Sequence, residues 1–132
     1  MSWDVGLYKF RRRYTSIDQI PEDESTLLGP ALDVRAHIDR VFPGVDWSDP
    51  TWGTWDADCG SIEFNMGKDD LTASVALHVR AAEVVVAPIV QLCLDNGWQA
   101  IDYSSGAFLE QSDSPTASLT AWRAYRDRIL GG

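Results

Sequence analysis

Two kinds of hydrophobic spacing follow one another along this chain, and their order restricts the folds that it can adopt. Apolar residues at alternate positions predict strands, whereas apolar residues three and four positions apart predict helices. The alternating segments are 3–10, 61–66, 71–80 and 99–103, and the helical segments are 31–42, 82–96 and 116–130. The predicted order is therefore strand, helix, strand, strand, helix, strand and a last helix.

Without the last helix, this order is the βαββαβ series of ferredoxin-like domains. The sequence thus predicts an α+β fold: an antiparallel sheet with two helices on one face, an extra short strand at 52–55 and a C-terminal helix. The chain has 132 residues, of which 45% are hydrophobic, so we expect a single domain over 1–132. Its α+β core would span 1–110, and 111–132 would form a linker and the last helix.

The two middle strands are predicted to form a hairpin. A four-residue turn between them would pair Phe64 with Ala73 and Ile62 with Val75. This register places the apolar residues of both strands on the same face, as a half-buried sheet requires.

Two segments depart from the simple pattern. Residues 14–30 are polar and contain two prolines, so we expect a long loop there. Pro88 lies inside the second helical segment, where proline removes a hydrogen bond and clashes with the preceding turn. We therefore expect that helix to begin near Ala87 or to bend there.

The charge of the chain limits the partners that it can have. Asp and Glu total 20 against 11 Lys and Arg, which gives a formal charge of -9. Such a chain repels a phosphate backbone, so we expect no nucleic-acid partner. The basic run at 9–13 is interpreted as a solvated strand end with acidic residues nearby.

No apolar run approaches the roughly 20 residues of a membrane span, and Asp4 stands where a signal peptide is basic, so we expect no membrane association and a cytoplasmic location.

The residues that usually hold metals or cofactors are scarce. The two cysteines, Cys59 and Cys93, form no disulfide framework, and neither they nor the two histidines have metal-ligand spacing. No glycine-rich phosphate loop is present, so we expect no cofactor and no metal. The predicted hairpin register sets Cys59 roughly opposite His78, and we interpret this as a chance pair rather than a thiolate and imidazole dyad.

One face of the predicted sheet carries the candidate ligand-binding residues. If the helices cover the apolar face, the opposite face displays Asp4, Tyr8, Glu63, Asn65, His78 and Arg80, with Asp102 or Tyr103 from the last strand. These groups suit the binding of a small anion or acid and base catalysis. The more common arrangement is that opposite charges pair across strands on a solvated face. Trp47, Trp52, Trp55 and Trp98 would suit a pocket or a partner-binding patch, although tryptophans more often fill the core.

Four segments carry a resemblance to known proteins. They are 1–5, 47–53, 61–67 and 77–80, which read MSWDV, WSDPTWG, SIEFNMG and LHVR. Together they resemble a group of short, uncharacterised bacterial proteins over roughly residues 1–110. The resemblance implies a bacterial cytoplasmic origin, and because the group has no established activity it supplies no catalytic residues.

Three hypotheses about function follow from these observations. The first is a non-catalytic protein-interaction or regulatory module, of an immunity-like or other kind. The second is a small-anion-binding domain or enzyme that uses the polar sheet face. The third is a homodimer formed through an edge strand or through the apolar stripe of the last helix. The position of that helix tests the second hypothesis, because a helix packed over the polar face would close it; the third hypothesis is compatible with either of the others.

Overall fold

The computed structural model describes residues 2–22 and 24–130. The strands are β1 (Trp3–Phe10), β2 (Ser25–Thr26), β3 (Gly29–Pro30), β4 (Trp52–Ala57), β5 (Gly60–Asn65), β6 (Leu71–Thr72), β7 (Val75–Ala81) and β8 (Gln99–Asp102). The α-helices are α1 (Ala31–Val41), α2 (Val86–Asn96) and α3 (Ala117–Ile129). Short 3₁₀ turns occupy Ile17–Gln19, Glu83–Val85 and Leu109–Gln111.

The fold is α+β, with an antiparallel six-stranded sheet in the described residues. Its strands lie in the order β4-β5-β7-β1, and the remaining edge of β1 pairs with β8 and β2. A separate two-stranded sheet joins β3 to β6. The sheet therefore contains more strands than the simple βαββαβ series that the sequence predicts. The extra short strand expected at 52–55 is present as β4 and continues to Ala57.

Several local predictions are confirmed. The first strand runs over 3–10 and buries Trp3, Val5 and Leu7, because alternate side chains of a strand point to one face. The second helix begins at Val86 after a 3₁₀ turn, so Pro88 lies in its first turn. Proline is tolerated there because the first amides of a helix have no partner within it.

The predicted hairpin register is wrong. In the structure Ile62 pairs with Val79 and Phe64 with Leu77, a shift of four positions from the expected partners. The reason is that Leu71–Thr72 leaves the main sheet and pairs with Gly29–Pro30, so the connection between β5 and β7 is much longer than a four-residue turn. Since the shift is even, the apolar residues of β5 and β7 still point into the core, whereas Leu71 and Ala73, which the predicted hairpin turns inward, are exposed.

The three helices contribute to one hydrophobic core. Val34 and Ile38 of α1 and Ile89 of α2 pack in the same cluster as the inward residues of β1, β5 and β7. Leu119 of α3 is fully buried in that cluster as well. The last helix therefore packs on the helical side of the sheet. No described helix has the length and apolar character that a membrane-spanning helix needs.

Other parts of the chain occupy part of both edges of the sheet. On β4, the Thr54 amide donates to the Asp46 carbonyl at 3.1 Å and the Asp46 amide donates to the Thr54 carbonyl at 2.8 Å. On β8, the Asp102 amide donates to the Ala107 carbonyl at 2.9 Å, and the Ala100 amide donates to Glu110 Oε2 at 3.2 Å. These bonds occupy groups that an added strand would need.

Candidate functional site

The candidate site is the outer face of the sheet, defined here as the side opposite α1 and α2. All six residues predicted to share a face lie on strands and are partly buried: Asp4, Tyr8, Glu63, Asn65, His78 and Arg80. Strand pairing places Asp4 opposite His78, and His78 opposite Glu63. Directly paired residues of antiparallel strands point to the same side, so these three form one row across the sheet.

Asp4 and His78 form a cross-strand pair at the centre of this row. His78 Nδ1 lies 3.0 Å from Asp4 Oδ1, and Ser2 Oγ donates to the same carboxylate oxygen at 2.5 Å. The side chains retain 26% and 44% of their accessible surface for His78 and Asp4, respectively. The Trp52 ring of β4 stacks on the imidazole, with centroids 5.5 Å apart and planes 17° apart. The imidazole is thus held between a carboxylate and an aromatic ring.

Arg80 and Glu63 form an ion pair beside the contact of His78 with Asp4. Arg80 Nη1 donates to Glu63 Oε1 at 3.3 Å, and both side chains remain about one-third exposed. Arg80 is directly opposite Ser61, so this pair joins diagonal neighbours on adjacent strands. His78 and Arg80 therefore each already have a carboxylate next to them.

Two tyrosines occupy the β1 and β8 side of the outer face. The phenol oxygens of Tyr8 and Tyr103 are 2.5 Å apart, and the Tyr103 amide donates to the Asp4 carbonyl at 3.2 Å. Partial burial of its phenol and the hydrogen bond with Tyr8 raise the pKa of Tyr103 above its usual value. Gly6 lies beneath both rings. The tyrosines can cover the backbone closely because this position has no side chain.

Of the two alternatives for the last strand, Tyr103 lies on the outer face and Asp102 does not. Asp102 points to the helical side and is only 3% exposed. Its Oδ1 accepts hydrogen bonds from Trp3 Nε1 at 3.1 Å and from the Ser104 amide at 2.9 Å. Asp102 is therefore a buried structural carboxylate.

Aromatic side chains are more prominent on this face than the sequence predicted. Trp52 is 36% exposed and Tyr103 is 51% exposed, while Tyr8 stacks on Phe10 with ring centroids 5.8 Å apart. Trp98 is buried, as expected for a core tryptophan. The alternation of β4 was the available signal, since it puts Trp52 and Thr54 on the side opposite Trp55.

The pairing of Cys59 with His78 is wrong. Glu63 occupies the position opposite His78 on β5, whereas Cys59 lies in the turn before that strand, where its carbonyl accepts from the Ala82 amide at 2.9 Å. The four-position change in register separates the thiol from the imidazole. Within 2–22 and 24–130, no three His, Cys, Asp or Glu side chains are grouped so that they could hold a metal ion.

The outer face ends in a shallow depression beside Asn65. Its volume is about 260 Å³, and Met66, Ser74 and Ala76 also line it. The depression is open and lies beyond the His78–Asp4 and Arg80–Glu63 contacts. Small-molecule sites are typically concave and bury most of their ligand. This end of the sheet does not provide a concavity of that depth.

Comparison of the chain with protein-family models, with curated proteins and with solved structures finds no match. The interpretation of the outer face therefore depends on its own geometry.

Proposed function

We propose that the protein is a non-catalytic protein-interaction module that binds its partner through the outer face of the sheet. The observation that carries this proposal is that α3 packs on the helical side, while aromatic side chains and internally paired charges remain accessible on the outer face. Tyrosine, tryptophan and arginine are enriched in the centres of protein interfaces.

The pairing of charges favours binding over catalysis. A general acid or base has to reach a proton of the substrate, and an anion site needs a cation directed at the ligand. Here His78 lies against Asp4, and Arg80 lies against Glu63. Paired polar side chains of this kind add specificity to a docking surface. A partner that removes water from them without offering complementary groups binds less favourably.

The covered edges further support a face-on mode of binding. Addition of a partner strand requires open backbone groups along a sheet edge. Asp46 blocks β4 in part, and Ala107 and Glu110 block β8. We accordingly favour the face over an edge strand as the binding surface.

The net charge indicates the chemistry of the partner. At -9 the chain attracts cationic proteins over long range, which accelerates their encounter. We infer a basic protein partner whose apolar or aromatic residues contact Trp52 and Tyr103.

The strand order and the cysteines support two further inferences, about the architecture and about the cellular location. We infer a ferredoxin-like core formed by β8, β1, β7 and β5, to which β4 and β2 add; the order of these strands and the two crossover helices support this inference. Cys59 and Cys93 are both free thiols, which supports a reducing compartment such as the cytoplasm.

An experiment with a matched pair of double variants tests the proposal. Trp52→Ala with Tyr103→Ala removes the exposed aromatics of the outer face, and Leu32→Ala with Leu94→Ala removes exposed apolar groups of the helices. Isotope-labelled protein titrated with native host lysate should show amide shifts in β1, β4, β5 and β7. The partner is then captured from the lysate on the wild-type protein and purified. It should bind the face variant at least about tenfold more weakly, which is a loss of about 1.4 kcal/mol in binding free energy.

The control double variant should bind that partner as the wild type does. If the face variant retains full affinity, or if the amide shifts lie on α1 and α2, the proposed docking face is wrong. Circular dichroism of each variant establishes that lost binding does not come from lost structure.

The second candidate is a small-anion-binding domain that uses His78 and Arg80. The observation that favours it is that both residues lie on the same accessible face, two positions apart on β7. Titration with phosphate and with citrate tests it. Saturable shifts of the His78 ring protons that disappear in Arg80→Gln would favour this candidate over the first.

A further inference from the structure

The C-terminal half of α3 presents an apolar strip to solvent. Tyr125, Ile129 and Leu130 are 48%, 58% and 75% exposed, and the first two are one helical turn apart. The N-terminal half of the same helix is anchored by Leu119 in the core and by the ion pair of Arg123 with Glu83. The strip is therefore held in place by a docked helix and yet covered by nothing within the described chain.

An apolar groove opens beside the 3₁₀ turn that precedes α2. Its volume is about 420 Å³, and its walls include Phe42, Trp55, Ala57, Cys59, Val84 and Pro88. Val84 is 66% exposed and also lines a neighbouring groove of about 440 Å³ that reaches Val90 and Pro115. The two grooves thus form a continuous apolar surface on either side of Val84.

The strip and the groove carry opposite charges. The C-terminal half of α3 carries Arg126 and Arg128 against the single acid Asp127, and because Arg126 pairs with Asp127, Arg128 is the charge left over beside the strip. The groove is bordered by Asp58, which is exposed. A basic apolar strip therefore matches an apolar groove with an acidic border.

We propose that the C-terminal strip of one copy binds in the apolar groove of a second copy, so that two chains form a two-fold dimer. Both surfaces lie at the same end of the molecule, because Arg123 of α3 pairs with Glu83, the residue next to Val84. This proximity permits a reciprocal arrangement in which each copy contributes one strip and one groove, and such an interface closes on itself.

The outer face of the sheet takes no part in this dimer. Its residues are separate from the strip and the groove, so the dimer can form whether or not the outer face binds a partner. The contact also differs from strand addition, because it needs no open sheet edge.

Sedimentation equilibrium from about 1 to about 100 µM, the affinity range of a modest interface, measures the dimer directly. Ile129→Asp in the strip and Val84→Asp in the groove should each weaken association at least about tenfold. Leu32→Asp on α1 is the matched control, since Leu32 is 70% exposed and belongs to neither surface. It should leave the association constant unchanged.

A charge exchange tests the partner surfaces without removing apolar contacts. Arg128→Asp and Asp58→Arg should each give weaker homodimers, because both variants place like charges opposite each other at the two contacts. Mixing the two variants should restore association as a heterodimer, in which both contacts again join opposite charges.

Two results would overturn the proposal. One is a monomer throughout the concentration range. If that monomer binds vesicles of phosphatidylcholine and phosphatidylglycerol but not of phosphatidylcholine alone, the strip is a membrane-surface element. The other is a dimer that neither Ile129→Asp nor Val84→Asp weakens, or a mixture of Arg128→Asp with Asp58→Arg that associates no better than either variant alone.

Discussion

Gly6 lies directly beneath the phenol of Tyr103: a Cβ atom at Gly6 would come within 2.1 Å of the Tyr103 hydroxyl oxygen and 2.7 Å of Tyr8 Cε2. Two tyrosines from different strands thus meet over a strand position that has no side chain. The close approach makes this glycine a steric requirement of the outer face.

Gly6→Ala should displace Tyr103 and break its contact with Tyr8. We expect a loss of about 1 kcal/mol in unfolding free energy, at the low end for overpacking because the ring of Tyr103 can swing into solvent. The pKa of Tyr103 should fall back toward its usual value, which an ultraviolet pH titration measures. In a Tyr103→Ala background the same substitution should cost less, and an equal cost in both backgrounds would contradict the contact.

Glu110 should make the stability of the protein depend on pH. Burial raises the pKa of its carboxyl group, and Oε1 has no hydrogen-bond partner among the described residues. The stabilisation linked to the protonated Glu110 carboxyl is therefore complete below the pKa that Glu110 has in the unfolded chain. It is lost as pH rises through the higher pKa that Glu110 has in the folded protein. Urea unfolding should show that Glu110→Gln gains stability relative to wild type between about pH 4 and pH 7. Glu22→Gln, at an exposed position, should show no such trend, and a flat difference for Glu110→Gln would refute the prediction.

The ion pair of Glu83 with Arg123 should stabilise the docked position of α3 by a small amount. The hydrogen bond from Arg123 lowers the pKa of Glu83, so this contribution is present above the unfolded pKa and is lost as pH falls through the folded value. Both side chains are about one-third exposed, and solvent screening limits the coupling to about 0.2–1 kcal/mol. A double-mutant cycle with Glu83→Gln and Arg123→Ala measures it. The coupling should shrink in high salt and below about pH 4, and an undiminished value would exclude an electrostatic origin.

Leu119 should be the residue that fixes α3 to the core. It is fully buried, so Leu119→Ala should cost about 2–4 kcal/mol in unfolding free energy. Hydrogen exchange should show that the amides of α3 lose protection before those of β7. Leu32→Ala, which truncates an exposed leucine, should change stability by less than about 0.5 kcal/mol. Protection of α3 that survives Leu119→Ala would mean that other contacts hold the helix.

Local patterns account for the parts of the fold that the sequence predicts well. The alternation through Trp3, Val5 and Leu7 defines the first strand, and it needs no information from elsewhere in the chain. The same logic identifies the six polar residues of the outer face, because parity along each strand determines which side chains share a side.

Long-range contacts account for the parts that it does not predict. The register of β5 on β7 depends on β6 pairing with β3, two segments that are too short and too distant in sequence to be recognised as strands. The even shift changed the partner of His78 from Cys59 to Glu63 without changing its face. The position of α3 depends on which apolar residue of its stripe enters the core, and periodicity alone does not distinguish Leu119 from Ile129.

The covered borders of the sheet have a practical consequence for the behaviour of the purified protein. Fibril growth begins where an unpaired strand templates another chain, and here Asp46 and Ala107 occupy part of both templates. The native state should therefore not seed cross-β aggregates, so that turbidity on storage should follow the small population of unfolded chains. Stabilising substitutions in the core would then prolong the useful life of a concentrated stock more than any change on the surface.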